Sequence, residues 1–498
     1  MQKAVPCLRP LIIGLVLGPL SLGVIAAEDQ SQTKNIAVTA AQCGPGSRPE
    51  TGLQGEVPLQ DRQSGRSKEG YSCNLELVGQ YQGEGAATIG AIAGNCAYMP
   101  TSYLAVSAKK RQGVQVIDVS NPSTPRWVKS LDTRAFHVGT WESLKVNEAG
   151  TMLAGAGVGI LTGSHKLDLY DIRDCANPKL LNKALLSSDS QAVTNQAHEG
   201  EWSPDGRTYW TTSATTGTLS AIDISNPSKP QSLYFGGSTL FFNHGMSFND
   251  DGTRMYLASV LPAGIVVLDV SDIQNRKANP KVRQISKANW NDGSITQKAL
   301  PVKIQGRPHL IVIDEFGGDG MTGGIRFIDI SDETKPVIVS HIRLAIQLKE
   351  NANTAMSGVA GTGFFNYDAH YCTVDRKNDP TALACGYFQS GIRVFDIRDH
   401  LLPREIAYFN PPAQTGRNDA LPGSDHAMSP AFTKDRAGLG VYDLSTLSAL
   451  IGVKSKRSQI TADWCSSPPK FVNGQLWTMC NDNGFMVLKF TNGAYPLR

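Results

Sequence analysis

The chain has 498 residues, of which 41% are hydrophobic, 7% aromatic and 18% charged, and its 47 Lys and Arg against 44 Asp and Glu leave a net charge of +3. A chain of this length and apolar content can bury a large core, and it lacks the excess positive charge that nucleic acid or an anionic membrane demands. The composition therefore excludes a disordered chain, a basic binder and a multi-span membrane protein, while 49 Gly and 27 Pro point to frequent turns over long helices.

Residues 1–27 read as a secretory signal. Lys3 and Arg9 supply a positive start, Leu11 to Ala26 is apolar, and the small residues Ala26 and Ala27 precede Glu28. The rival is a retained anchor, which Gly14, Gly18, Pro19 and Gly23 weaken as a helix. Export to the periplasm or beyond is the expectation. Without Lys3 and Arg9 the mature charge is about +1. Residues 28–72 are rich in Gln, Ser, Gly and charge with no apolar period, and read as a flexible lead-in.

From Cys73 to Arg498 one pattern recurs: a short strand ending in Asp, a polar turn with Pro, then another short strand. It runs through GVQVIDVSNPSTP (113–125), KLDLYDIRDCANP (166–178), TLSAIDISNPSKP (218–230) and GIVVLDVSDIQNRKANP (264–280). Two further copies are GIRFIDISDETKP (324–336) and GIRVFDIRDHLLP (391–403), and a degenerate last one is GFMVLKFTNGAYP (484–496). Within each copy apolar residues alternate and are often β-branched, which is a strand signature. Hairpins such as EWSPDGRTYW and SFNDDGTRMY precede several copies. Four strands per unit, repeated at about 40–50 residues plus insertions, describe a β-propeller blade.

The expected fold is all-β: a seven-bladed β-propeller over residues 73–498. NLELVGQYQ (74–82) resembles a fourth strand placed ahead of the first blade, so this N-terminal strand would complete the last blade and remove a free edge. The 93 residues from Asp396 to Lys489 hold an insertion at about 411–460, whose VYDLSTL (441–447) leaves eight blades as a rival count. The motif aspartates Asp118, Asp171, Asp223, Asp269, Asp329 and Asp396 precede Ser, Asn and Pro, and are expected to cap turns.

The motif residues, above all IDVSNPSTP, IDISNPSKP and FDIRDHLLP, resemble the LVIVD-repeat family of exported bacterial β-propellers. The resemblance implies an exported propeller and says little about chemistry, because propellers host many functions.

Eight cysteines follow the leader, an even number that suits disulfides in an exported chain. Cys372–Cys385 and Cys465–Cys480 share one place in the repeat and would each close a hairpin. Cys73–Cys96 and Cys43–Cys175 are the expected remainder.

No HExxH, Walker loop or GxSxG elbow is present, and AGAGVG (154–159) sits in a hairpin, not at a strand–helix junction. The DEFGGDGMTGG run (314–324) lacks an EF-hand spacing and reads as a channel-mouth loop. Histidines carry more. His198 and His244 each stand eight residues before a hairpin glycine, Gly206 and Gly252; the same spacing in the second blade selects Glu142, with His137 five residues earlier. Aligning Cys372 with Cys465 sets Asp463 opposite His370, and His426 lies in a comparable setting. On innermost strands these residues would ring one channel mouth, a ligand set that Cu, Zn or Fe accepts. The arrangement is similar in architecture to the selenium-binding protein and methanethiol oxidase family. A packing role copied by the repeat is the alternative. Trp141, Trp202 and Trp464 flank the ring as pocket walls or inter-blade packing, and His165, His309, His341 and His400 read as ordinary surface or packing residues. Two functions follow: a module binding a small molecule or another exported protein at its channel face, or a metal-dependent oxidase or hydrolase.

Overall fold

The computed structural model describes residues 36–103, 109–158, 166–182, 194–213, 216–237, 242–359, 365–428 and 462–497. The leader, His165 and VYDLSTL (441–447) lie outside the described residues, as does most of the insertion.

Seven antiparallel sheets form the ring. Blade 1 holds Ala91–Ala93, Cys96–Pro100, Val114–Asp118 and Arg126–Leu131; blade 3 shows the full pattern with Gly200–Trp202, Thr208–Thr212, Thr218–Asp223 and Gln231–Gly237. The innermost strands of blades 2, 4, 5, 6 and 7 are Lys145–Val146, Asn243–Phe248, Gly293–Ile304, Ala369–Val374 and Lys470–Val472. Blade 7 is completed by Leu75–Tyr81, which pairs antiparallel with Gly484–Phe490, as Glu76 opposite Lys489 illustrates. The N-terminal strand thus closes the ring and protects the last sheet's edge.

The core lies between blades, which explains why third strands are apolar on both faces; Val114–Asp118 and Ile325–Asp329 are buried up to their final Asp. Tyr98 and Val116 of blade 1 pack with Leu153 and Tyr170 of blade 2. The same contact recurs around the circle until Trp477 and Val487 of blade 7 meet Met99 and Ile117 of blade 1. Blade 6 packs directly on blade 7 through Val394, Leu476 and Met486, so an eighth blade has no place between them. Each motif Asp accepts from the backbone N–H two residues on, as Asp118 does from Ser120 (2.9 Å) and Asp329 from Ser331 (2.8 Å). In the hairpin of blade 3, Gly206 takes the left-handed φ of 67° that its turn requires.

Two expectations need correction. From residue 36 onward the supposed flexible lead-in is packed against blade 6. Val38 joins the core between blades 5 and 6, Val57 and Tyr71 are buried beside Tyr408, and Tyr71–Cys73 adds a fifth strand to that sheet. Glu50 and Glu405 both grip the buried Arg393 guanidinium. Single anchors spaced along the segment do this work, and they leave no periodic trace in sequence.

The disulfide network also differs. Cys372–Cys385 and Cys465–Cys480 are bonded, but Cys43 joins Cys73 and Cys96 joins Cys175. Cys73–Cys96 is not formed because Cys73 sits on the extra edge strand of blade 6, whereas Cys96 faces blade 2. Peptide mapping under non-reducing conditions should recover Cys43–Cys73 and Cys96–Cys175; a Cys73–Cys96 peptide would contradict this arrangement. Disulfides and the lack of a helix long and apolar enough to cross a membrane among the described residues fit an exported protein.

Candidate metal centre at the channel mouth

His198, His244 and His370 converge on Glu142 from blades 3, 4 and 6 against blade 2, each of the four lying near the start of an innermost strand. The backbones of blades 2 and 3 touch here, the Glu142 N–H donating to the His198 carbonyl at 3.3 Å. The Glu142 carboxylate lies 3.4 Å from His198 Nε2, 3.6 Å from His244 Nε2 and 3.1 Å from His370 Nε2. A second carboxylate, Glu315, stands 3.4 Å from both His244 Nε2 and His370 Nε2. Glu142, His244, His370 and Glu315 are all buried.

Other groups orient this set. His370 Nδ1 lies 2.7 Å from the Ser466 carbonyl, which accepts a hydrogen bond from that N–H and leaves Nε2 turned to the carboxylates. His244 Nδ1 faces Glu199 at 3.5 Å. Gly245 permits that approach, because a Cβ there would come within 2.2 Å of the Glu199 carboxylate. Gln297 and Tyr371 both donate to Glu142, at 2.9 and 3.3 Å. Gln297 Oε1 and His198 Nε2 are buried without a hydrogen-bond partner. An amide's two ends occupy interchangeable positions, so Gln297 turned over offers an oxygen to the same point.

The charges divide into two layers. Lys298 pairs with Glu199 at 2.9 Å and with Glu201, and Lys145 lies 3.6 Å from Glu199. Those four residues balance, two positive against two negative. Burial opposes ionisation of Glu199, but Lys298 and Lys145 outweigh it and bring its pKa down to about 2. Among the described residues Glu142 and Glu315 form no salt bridge to a lysine or arginine; their charged neighbours in contact are imidazoles, with Lys145 acting on Glu142 from farther away. Burial likewise opposes charge on Glu142, and His244, His198 and His370 reverse that and hold its carboxyl well below the usual range. Burial disfavours the His370 cation, yet Glu142 and Glu315 push its pKa up to about 10; His244 is raised in the same way.

Carboxylate–imidazole separations of 3.1–3.6 Å suit one shared ion. Donors about 2.0–2.1 Å from a metal stand about 3.0–3.4 Å from one another in octahedral or tetrahedral shells. Glu142, His198 and His244 form one three-donor group and Glu142, Glu315 and His370 another, with Glu142 common to both, and these donor types suit a divalent transition metal.

The structure does not bring the other expected ligands to this point. His137 ends a short helix, Arg134–His137, and pairs half-exposed with Asp132 at 2.7 Å; that helix breaks the register on which its spacing relied. Asp463 is misplaced by the cysteine alignment, because the inner strand of blade 7 starts only at Lys470 whereas Cys372 lies within that of blade 6. Asp463 instead accepts from the N–H groups of Asp482 and Asn483 at 2.8 and 2.9 Å. His426 bonds Asp482 at 2.8 Å, and Ser424 and Asn418 also donate to Asp482. This second cluster ties the chain after blade 6 to blade 7; His426, Asp463 and Asp482 are themselves close enough together to hold an ion, and His426 Nε2 is buried without a hydrogen-bond partner. Trp141 stacks on His198 at 4.2 Å and Trp464 on His426 at 4.6 Å, while Trp202 packs between blades 2 and 3 and donates to the Lys145 carbonyl.

Sequence reasoning missed Glu315, Gln297, Glu199 and Tyr371. Glu315 belongs to the 314–324 run read as a mouth loop, but it ends a strand, Arg307–Gly317, and reaches over the register shift between Thr296 and Lys298. Gln297 is the residue blade 5 supplies where neighbouring blades supply His, and that substitution was the available signal.

Burial and the neighbouring Asp482 raise the Asp463 pKa to about 7. A folded-state pKa above the unfolded value contributes stability that is present at low pH and lost as pH rises through it. Between about pH 4 and about pH 7 this contribution falls away, and Asp463→Asn is expected to flatten that part of the stability profile. Urea midpoints measured across this range check it; an unchanged slope would contradict the assignment.

No curated protein matches the chain. Solved structures that resemble it include the Cps50 (Swd1) β-propeller domain of Myceliophteria thermophila, at 11% identity, covering 84% of this chain and 100% of that one with a TM-score of 0.49. The periplasmic gluconolactonase PpgL of Pseudomonas aeruginosa shares 14% identity over 52% of this chain and 69% of that one, with a TM-score of 0.39. Hydrazine synthase of Kuenenia stuttgartiensis shares 12% over 66% and 79%, with a TM-score of 0.42. The LVIVD repeat matches residues 102–133 and 214–233, which contain the third-strand motifs of blades 1 and 3. The chain is a seven-bladed β-propeller carrying LVIVD repeats.

Proposed function

We propose that this propeller binds a divalent transition metal at the channel mouth through His198, His244, His370, Glu142 and Glu315, and uses it on a small molecule. The observation that carries the reading is the pair of buried carboxylates facing three imidazoles, with no lysine or arginine in salt-bridge contact with either among the described residues. Keeping two carboxylates ionised in a buried site is costly, and a dication offsets that cost without requiring the imidazoles to be protonated. Imidazole and carboxylate donors suit Zn, Fe or Cu(II), and the nearby cysteines are disulfides that offer no thiolate. A metal held there would polarise a bound oxygen or carry an oxidation. The chain's own residues supply the rest: Gln297 and Tyr371 fix the Glu142 carboxylate, Ser466 and Glu199 aim two imidazoles, and Trp141 walls the site beside His198. Binding of a small molecule at the channel face, the function expected first, becomes part of this reading.

The test is metal analysis of protein matured in the periplasm and purified without chelator. About one equivalent of a single transition metal is expected. Protein that stays metal-free after incubation with Zn, Fe and Cu salts would refute the proposal.

A further inference from the structure

A cleft of about 180 Å³ opens between blade 5 and the helix Ala352–Val359. Phe316, Met321, Ala355 and Met356 give it an apolar wall, and Asn366 and Asp368 lie along it as polar groups. Asp368 is occupied, accepting from the Gly323 and Asn366 N–H groups at 2.8 and 3.0 Å. Asn366 is buried, and its Oδ1 has no hydrogen-bond partner. The cleft adjoins the metal centre: Phe316 follows Glu315 in the chain and packs on Phe365 at 5.2 Å, and the Phe365 ring lies 6.4 Å from that of His370.

We infer that this cleft is a subsite for a small, uncharged ring compound bearing one hydroxyl, of the size of phenol. Three features select that class. An apolar cavity of about 150 Å³ is large enough to hold benzene, so this volume admits one six-membered ring. The Asp368 carboxylate at its wall disfavours an anion. The unpartnered amide oxygen calls for a single O–H donor, and because a hydroxyl also accepts, it satisfies either orientation of the Asn366 amide. The inference names the substrate class of the proposed metal site and rests on that reading for the ligand's fate, but not for its binding.

The experiment is calorimetric titration of the full-length mature protein with phenol and with benzene. Phenol is expected to bind about tenfold more tightly than benzene, the difference carried by one hydrogen bond to a buried group. Asn366→Leu should erase that difference while retaining benzene, and Met356→Trp, at a half-buried position on the cleft, should abolish both. Equal affinities for the two probes in the wild type, or phenol binding that survives Met356→Trp, would overturn the inference. Glu142→Gln separates the two readings, since it is expected to lose metal and keep phenol. Metal retained without phenol binding sinks the subsite alone, and phenol bound by a protein that never takes metal sinks the metal centre alone.

Discussion

Glu142→Gln is expected to lower metal affinity by about 100-fold or more, a loss at least as large as that seen when outer partners of metal ligands are removed. Glu142 is the residue that all three imidazoles face, and it also takes the Gln297 and Tyr371 hydrogen bonds. The amide keeps the shape and removes the charge. The variant should fold, because it deletes a buried carboxylate that the metal-free protein can neutralise only by protonating its histidines. The wild type provides the complementary readout. His370, with its pKa pushed up to about 10 by Glu142 and Glu315, holds a proton at neutral pH in the absence of metal, and the same carboxylates raise His244. Loading must displace the His370 proton, so metal uptake in weak buffer should release at least about one proton per ion. A His198→Ala, His244→Ala double variant should lose the metal too. Stoichiometric metal of unchanged affinity in Glu142→Gln would remove the centre from consideration.

Arg393→Met should destabilise the protein by about 3–5 kcal/mol at neutral pH, the usual cost of breaking a buried ion pair by deleting one partner. Arg393 is fully buried between Glu50 and Glu405, and its loss leaves two carboxylates without a counter-ion. Glu50, already raised by burial even with Arg393 beside it, would take up a proton more readily still, so the deficit should shrink as the pH falls. Because Glu50 lies in the segment before blade 1, the variant should also be cut by protease within residues 36–70 before the blades are attacked. Unchanged urea midpoints and protease pattern would show that the Cys43–Cys73 disulfide alone holds that segment. Adding Glu50→Gln and Glu405→Gln to Arg393→Met should restore much of the stability, since no buried charge then remains unpaired.

The blades were legible because each strand repeats a period of two and each motif Asp precedes its turn, as in VIDVSNP and AIDISNP. The role of Leu75–Tyr81 as the closing strand was legible for a related reason, since a fourth strand without its own blade must pair elsewhere. Four members of the candidate site could also be named, because the repeat places His198, His244, His370 and Glu142 at corresponding points. Glu315 escaped this logic. It lies on a second strand, and a local register shift carries it to the site. Asp463 and His426 meet each other and Asp482 instead of the Glu142 set, because matching positions in a repeat do not meet where the blade's inner strand starts late.

Short-range order in the chain was sufficient to specify strands, turns and the ring's closure, since alternation and turn chemistry act between residues close in sequence, while the choice of seven blades over eight needed the contact of blade 6 with blade 7. The pairing of Cys43 with Cys73, the docking of residues 36–72 on blade 6 and the arrival of Glu315 beside two imidazoles came from the assembled ring alone. Those features depend on where distant segments are held relative to one another, and only packing between blades sets such distances.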